Sequence, residues 1–311
     1  MKMTFKQKIN AYLGMSKRNI LLFFKDKTTL FFSLLAPLIV FALYIVFLKD
    51  TYLSGIYNEV KGLESFFDIK EIDNIANGWL LAGILGTSTI TVSLNSLQIM
   101  VIDKERKVDF DYNSSPISGP CVVFSYFTGA FINTFLVSGS ILTLGLIVLS
   151  IMGNLHLTVV SILLLYLVTI VGSASSTILM MVVTSFFKTS SSLGAFSGII
   201  SAAIGFVIGA YIPLGNFSKT IQGVLTIVPG SHIACIYRNL LMSGTLNSIN
   251  SSLNGIDGGA FNDMIHELFA FKLNLFSYQT SMLFMCLYSV GSIVIGLILN
   301  VLLYRRAQKR V

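Results

Sequence analysis

Six long runs of apolar residues narrow what this chain can fold into more than any other feature. About 20 consecutive apolar residues make a helix long enough to cross a hydrocarbon layer roughly 30 Å thick. A helix is also one of the few structures that satisfies its own backbone there. The runs fall at 28–48, 79–101, 122–152, 158–187, 193–213 and 278–304. The third and fourth are about 30 residues each, roughly 45 Å at 1.5 Å per residue, so they must tilt or project beyond the bilayer. Only Gly153 to Leu157 join them, which predicts an antiparallel hairpin. With 54% hydrophobic and 11% charged residues, against about 25% charged in soluble proteins, the chain cannot cover a globule with a water-soluble surface. The expectation is one all-α integral membrane domain over 1–311 with six transmembrane helices.

The net charge of +7 points to nucleic acid only if the basic residues form a patch, and they gather at span ends instead. Placing the N-terminus inside puts fifteen of the 21 Lys and Arg on the cytoplasmic side, seven of them before the first span. Both termini are therefore expected in the cytoplasm, with the lipid bilayer and not nucleic acid as the environment. All charged residues and His156, His232 and His266 fall outside the six runs. Ion-coupled carriers usually bury such groups at mid-membrane, so an energy source outside the chain is expected. Cys121, Cys235 and Cys286 have no metal-ligand spacing and read as packing residues.

Ahead of the first span, Phe5, Ile9, Tyr12, Leu13, Ile20, Phe23 and Phe24 recur at helical spacing among Lys6, Lys8, Lys17 and Arg18. That pattern predicts a basic amphipathic helix over 1–27 lying at the membrane surface. The loop 102–121 mixes Asp103, Lys104, Glu105, Arg106, Lys107, Asp109 and Asp111 with Phe110 and Tyr112, and Pro116 follows as a stop. A short polar helix that docks a soluble partner fits this mixture, and so does a plain solvated loop.

The run Arg18, Asn19, Leu21 to Lys27, then Phe31 to Leu38, resembles the opening of type-2 ABC exporter permeases, the transmembrane subunits of bacterial ABC transporters. The charged loop closing on Ser114, Ser115 and Pro116 is similar to the stretch after that family's second span. Val228, Pro229 and Gly230 through Tyr237, Arg238, Asn239, Leu240 and Leu241 resemble its region before the last span. The resemblance implies a homo- or heterodimer of permeases working with two copies of a cytoplasmic ABC ATPase that binds ATP and Mg. It also implies that Lys104, Glu105, Arg106, Lys107, Asp109, Phe110 and Asp111 meet that ATPase as a coupling element. No phosphate-binding Gly-x-x-x-x-Gly-Lys-Ser/Thr occurs in the chain, so it is expected to carry no cofactor and no catalytic or metal site of its own.

Within the fifth run, Gly194, Gly198, Ser201, Gly205 and Gly209 fall within about 80° at 100° per residue, a stripe suited to close helix packing. The second run places Thr87, Thr91 and Asn95 on one face. By resemblance the second and fifth spans line the translocation path, which nominates Thr87, Thr91, Asn95, Phe196 and Ser197. An uncharged wall of hydroxyls, amides and aromatics suits a hydrophobic or amphipathic substrate. Outside, 49–78 reads as an acidic loop, Ile221 to Leu241 as a re-entrant pair broken at Pro229 and Gly230, and Gly244 to Asn262 as a flexible loop. The reading is an exporter that moves a drug, antimicrobial peptide or lipid-like molecule across the cell membrane. The rivals are an ion-coupled carrier or Na⁺ extrusion permease, and a polytopic enzyme acting on lipids.

Overall fold

The computed structural model describes residues 3–59, 68, 70–152 and 156–308. Parts of the outer segment 49–78, Lys61 and Glu64 among them, the centre of the 153–157 turn, and Lys309 and Arg310 lie outside the described residues. The helices in chain order are α1 (Phe5–Lys25), α2 (Lys27–Leu43), α3 (Lys49–Glu59), α4 (Lys70–Ser96), α5 (Gln98–Glu105), α6 (Val108–Ser114) and α7 (Gly119–Met152). They continue with α8 (Val159–Thr184), α9 (Ser190–Val207), α10 (Lys219–Thr226), α11 (Pro229–Leu253), α12 (Ala260–Leu268) and α13 (Met282–Gln308). A π turn, Tyr44–Leu48, joins α2 to α3, and the two-residue strands β1 (Asn274–Leu275) and β2 (Tyr278–Gln279) pair antiparallel ahead of α13.

Five helical stretches are long and apolar enough to cross a membrane: Lys70–Glu105, Gly119–Ile151, Val159–Thr184, Ser190–Val207 and Met282–Arg305. Two bent pairs, α1 with α2 at 75° and α10 with α11 at 103°, raise the number to as many as seven. Several ends differ from the sequence expectation. The second stretch starts at Lys70 and runs through α5, well beyond 79–101. The fifth ends at Val207, and Gly209 then turns the chain in the left-handed region at φ +74. The segment 244–262 is not a flexible loop, because α11 continues to Leu253 and closes on Asn254 in the left-handed conformation. Its Ser and Asn residues conceal Leu246, Ile249 and Leu253, which recur at helical spacing and pack with Ile72, Ile75 and Phe269 in one buried cluster.

The fold is organised around α4. Of its membrane-crossing window 89% is buried within the protein, against 28% for α9 and 11% for α13. It packs against α2, α7, α8, α9 and α11, and small residues let the backbones close in. A methyl group at Gly83 would meet Ala210 at 2.8 Å, and one at Gly145 of α7 would run into Leu81.

A helix enclosed this completely has no water for its polar side chains, and they turn back on their own backbone. Thr87 donates to the Gly83 and Ile84 carbonyls, Ser88 to Leu85, Thr89 to Gly86 and Ser93 to Ile90, all at 2.8–3.0 Å. Thr91 does more. Pro37 interrupts α2, and having no N–H it leaves the Ser33 carbonyl one turn earlier without its helical donor. The Thr91 hydroxyl donates to that carbonyl at 2.8 Å. Thr91→Val should therefore lower stability by about 1–2 kcal/mol, read as a lower thermal midpoint in detergent. In a Pro37→Ala background, where residue 37 regains its N–H, the same change should cost markedly less.

Candidate functional site

The strongest polar construction gathers at the end of the bundle where α1, α2, α5 and α6 meet. α1 begins with a reciprocal cap, Gln7 N–H donating to Thr4 Oγ1 at 3.4 Å and Thr4 N–H to Gln7 Oε1 at 2.8 Å. It stops at Asp26, whose carboxylate accepts from the Thr28 and Thr29 amides at 3.0 and 3.1 Å and from the Thr29 hydroxyl at 2.7 Å. These bonds, the Thr29 hydroxyl foremost, hold the Asp26 carboxyl below its ordinary pKa. One residue thus ends α1 and starts α2 across the 75° bend.

α1 is held against α7 by a mixed face. Tyr12 hydrogen-bonds Thr128 at 2.6 Å, Asn19 donates to the Ser125 carbonyl at 3.3 Å, and Phe23 is buried. Gly129 makes room, since a methyl there would meet the Asn19 Cβ at 2.7 Å. Ile9, Leu13 and Phe24 remain exposed on the adjoining flank, as expected of a helix whose apolar side faces lipid.

Arg18 reaches from α1 to Asp103 of α5 through two bonds, Nη1 to Oδ2 at 2.7 Å and Nη2 to Oδ1 at 2.6 Å. Asp103 is 2% exposed and also accepts from the Tyr126 hydroxyl of α7 at 2.6 Å. Arg18 Nη1 lies 3.4 Å from the Tyr112 hydroxyl of α6. The Asp103 carboxylate therefore ties α5 to α1 and α7, and Arg18 adds the contact with α6. A two-pronged guanidinium–carboxylate contact with a third donor is the geometry in which a desolvated pair is fully satisfied.

The sequence-nominated coupling residues surround this clamp. Lys104 Nζ donates to the Ser185 carbonyl at 3.1 Å, and Glu105 Oε2 accepts from the Ser190 amide at 3.0 Å, so α5 is tied to the turn between α8 and α9. Lys107 turns the chain into α6 with a left-handed φ of 59. Arg106, Phe110 and Asp111 are exposed, and Asp109 lies in α6. Among the nominated path residues, Asn95 and Ser197 meet: Asn95 Nδ2 donates to the Thr91 carbonyl at 3.0 Å, and its Oδ1 accepts from Ser197 Oγ at 2.8 Å. Thr87 and Thr91 are wholly buried, and Phe196 packs on Phe187 with ring centres 5.1 Å apart. Along α9, Gly194 and Gly198 face open space, Ser201 is buried, and Gly205 lies under the Tyr211 ring. Gly209, beyond the helix end, accepts a hydrogen bond from Trp79 Nε1 at 3.1 Å.

A cavity of about 350 Å³ opens beside the clamp, with Asn95, Gln98 and Arg106 among its walls. Two buried charges escaped the sequence reading. Asp103 lies just past the second apolar run and passes for a loop residue. Its signal is position, because it continues the face of Leu97 and Met100 that α5 buries. Arg238, in the stretch read from sequence as a re-entrant pair on the outer side, is 1% exposed, its guanidinium close to Gly209 beyond the end of α9 and without a hydrogen-bond partner among the described residues. Among the described residues no group of three or more His, Cys, Asp and Glu is arranged to hold a metal.

Truncating Arg18 to Leu leaves the Asp103 carboxylate buried without its counter-charge. Breaking a buried pair costs about 3–5 kcal/mol, and since the Arg18 side chain is 36% exposed the lower end applies. The expected result is a large fall in thermal midpoint, partly restored when Asp103→Leu is added.

No curated protein matches the chain. A family model described as "ABC-2 family transporter protein" matches residues 51–298, a stretch covering α4 to α12 and most of α13. The chain is a multi-pass membrane protein and belongs to the ABC-2 transporter family.

Proposed function

We propose that the chain is the permease half of an ATP-driven exporter in the cell membrane of a bacterium. ABC-2 permeases normally work with a separate ATPase subunit. Here two copies of that ATPase, which binds ATP and Mg, would serve a homo- or heterodimer of permeases. Six spans, α2, α4–α5, α7, α8, α9 and α13, cross the bilayer with both termini in the cytoplasm, and α10–α11 re-enters from outside. The distribution of Lys and Arg supports that orientation. The cargo is a hydrophobic or amphipathic molecule such as a drug, an antimicrobial peptide or a lipid-like compound.

One observation carries the reading. Phe110, 46% exposed, stands on a short helix at the end of α4–α5, the most enclosed helix of the bundle. A partner pressing on α6 acts through the Asp103 clamp on α1 and α7 as well as on α4, so a local push becomes a movement of the whole cytoplasmic end. That is the structural requirement for alternating access driven from outside the membrane.

The test is co-purification with the ATPase encoded by a neighbouring gene. Phe110→Ala should preserve the fold and assembly but lower permease-stimulated ATP hydrolysis at least fivefold. Hydrolysis and transport that match wild type in an assembled Phe110→Ala complex would defeat the assignment of α6 as the coupling element.

A further inference from the structure

We propose that the cavity at the α1–α2 elbow is a binding site for a phosphate group, presented by an anionic amphiphile of the adjoining leaflet. Its walls carry Arg18, Asp26, Asp103 and Arg106, together with the polar Thr29, Asn95, Ser96 and Gln98 and the apolar Leu22, Phe23, Ile99 and Ile102. What matters is which of these groups are already committed. Asp103 is engaged by Arg18 and Tyr126, and Asp26 by the first turn of α2. Asn95 bonds Thr91 and Ser197, and the Ser96 hydroxyl accepts from Asn133 at 2.7 Å. Gln98 Oε1 lies 3.2 Å from the Thr29 hydroxyl, whose single proton is shared with Asp26 at 2.7 Å, and its Nε2 donates no hydrogen bond among the described residues. The Arg106 guanidinium likewise makes no hydrogen bond or ion pair among the described residues.

Asp103 is neutralised by Arg18, and Asp26 keeps its charge with its near donors supplied by α2, so the uncommitted hydrogen-bonding capacity is chiefly donor, the five N–H of Arg106, beside the neighbouring Glu105 carboxylate, and the Gln98 amide. Such a wall accepts an anion with several oxygens, and a guanidinium fork beside an amide matches phosphate geometry. The surroundings favour an amphiphile as the carrier. Leu22, which lines the cavity, is 38% exposed, and Phe24 and Phe31 are exposed on the same corner at 40% and 57%. Apolar chains can lie there while the headgroup turns inward. The volume of about 350 Å³ falls within the range of small-molecule sites, though at its lower end, and suits a headgroup rather than a whole lipid. The proposal needs only that this elbow lie at a membrane surface; it shares Arg106 with the nominated coupling residues, and its readout involves no ATPase.

The experiment uses the full chain in detergent micelles, with ligand retention read by native mass spectrometry and stability by thermal midpoint. Three probes are compared: dioleoyl-phosphatidylglycerol, dioleoylglycerol with the same tails and no phosphate, and inorganic phosphate. Phosphatidylglycerol should be retained at about one equivalent and raise the midpoint, and dioleoylglycerol should do neither. The double variant Arg106→Gln, Gln98→Ala should weaken retention at least tenfold, Arg106→Lys should keep part of it, and Lys6→Gln at the far end of α1 should bind as wild type. Displacement of the lipid by millimolar inorganic phosphate would assign the same site to free phosphate as well. Equal retention of dioleoylglycerol overturns the proposal. So does a double variant that binds as wild type, an equal loss in Lys6→Gln, or no retention of any phosphate probe. Because neither ATP nor transport enters the readout, such a failure leaves the exporter assignment intact.

Discussion

Everything in this structure follows from the enclosure of α4. A helix shielded from water and lipid alike must satisfy each of its polar groups within the protein, because an unpaired one costs more there than its hydrogen bond would contribute in water. The second span is rich in hydroxyls, and the structure makes those of Thr87, Ser88, Thr89, Thr91 and Ser93 harmless by folding each back on a carbonyl three or four residues earlier. Thr91 shows the same rule acting between helices. Pro37 breaks the bonding pattern of α2, and the repair comes from the neighbour against which that break is pressed. The irregularity in one helix and the hydroxyl in the other are thus a single feature, and they fix the register of α2 on α4.

At the clamp the same constraint takes an ionic form. Asp103 has left the hydroxyl-lined part of the helix but not the protein interior, and a carboxylate there is tolerable only with a full set of donors. Supplying those donors from two other helices, α1 and α7, converts an energetic necessity into a mechanical joint. α1, already packed along α7, is bound as well to the end of the central helix. The bonds of Lys104 and Glu105 to the α8–α9 turn add a second attachment on the opposite side. The coupling residues nominated from sequence therefore divide into two groups. Lys104, half-buried, and Glu105, exposed, are bonded to the α8–α9 turn and brace the structure, while Arg106, Phe110 and Asp111 are exposed without such a brace.

Much of this fold was legible because lipid simplifies the code. Apolar run length locates most of the spans, and the amphipathic pattern from Phe5 to Phe24 marks α1 with its exposed flank. Legibility failed where burial is achieved by protein rather than by lipid. Residues 70–78 look like the end of an outer loop because Asn74, Asn77 and Gly78 are polar or small. They are buried all the same, by helices distant in sequence such as α11. The Ser- and Asn-rich stretch after Gly244 misleads for the same reason, its three well-spaced apolar residues outweighing the rest once Phe261 and Phe269 fold against them. Of the path residues, the pairing of Asn95 with Ser197 across α4 and α9 could not be read from one chain of letters, because it depends on which faces of two helices meet. The glycine stripe of α9 was readable as a stripe. Its last member, Gly209, serves a different purpose, since only the coordinates reveal a left-handed turn there.

These contacts give α9 an unusual status among the long helices. Its middle is lightly packed and two of its glycines look into open space, yet each end is fastened to the central helix. Glu105 of α5 holds the first turn at Ser190, and Trp79 of α4 holds the turn after its last residue through the Gly209 carbonyl. Between these points the Asn95–Ser197 bond is a third polar contact with the same partner. A helix attached in this manner does not slide freely along α4, since sliding would break the Asn95–Ser197 and Trp79–Gly209 bonds inside the protein, where no replacement donor is at hand, together with the exposed Glu105–Ser190 bond. The open space along α9 lies toward its first turn, beside Gly194 and Gly198, while the buried polar contacts at Ser197 and Gly209 hold the remainder to α4.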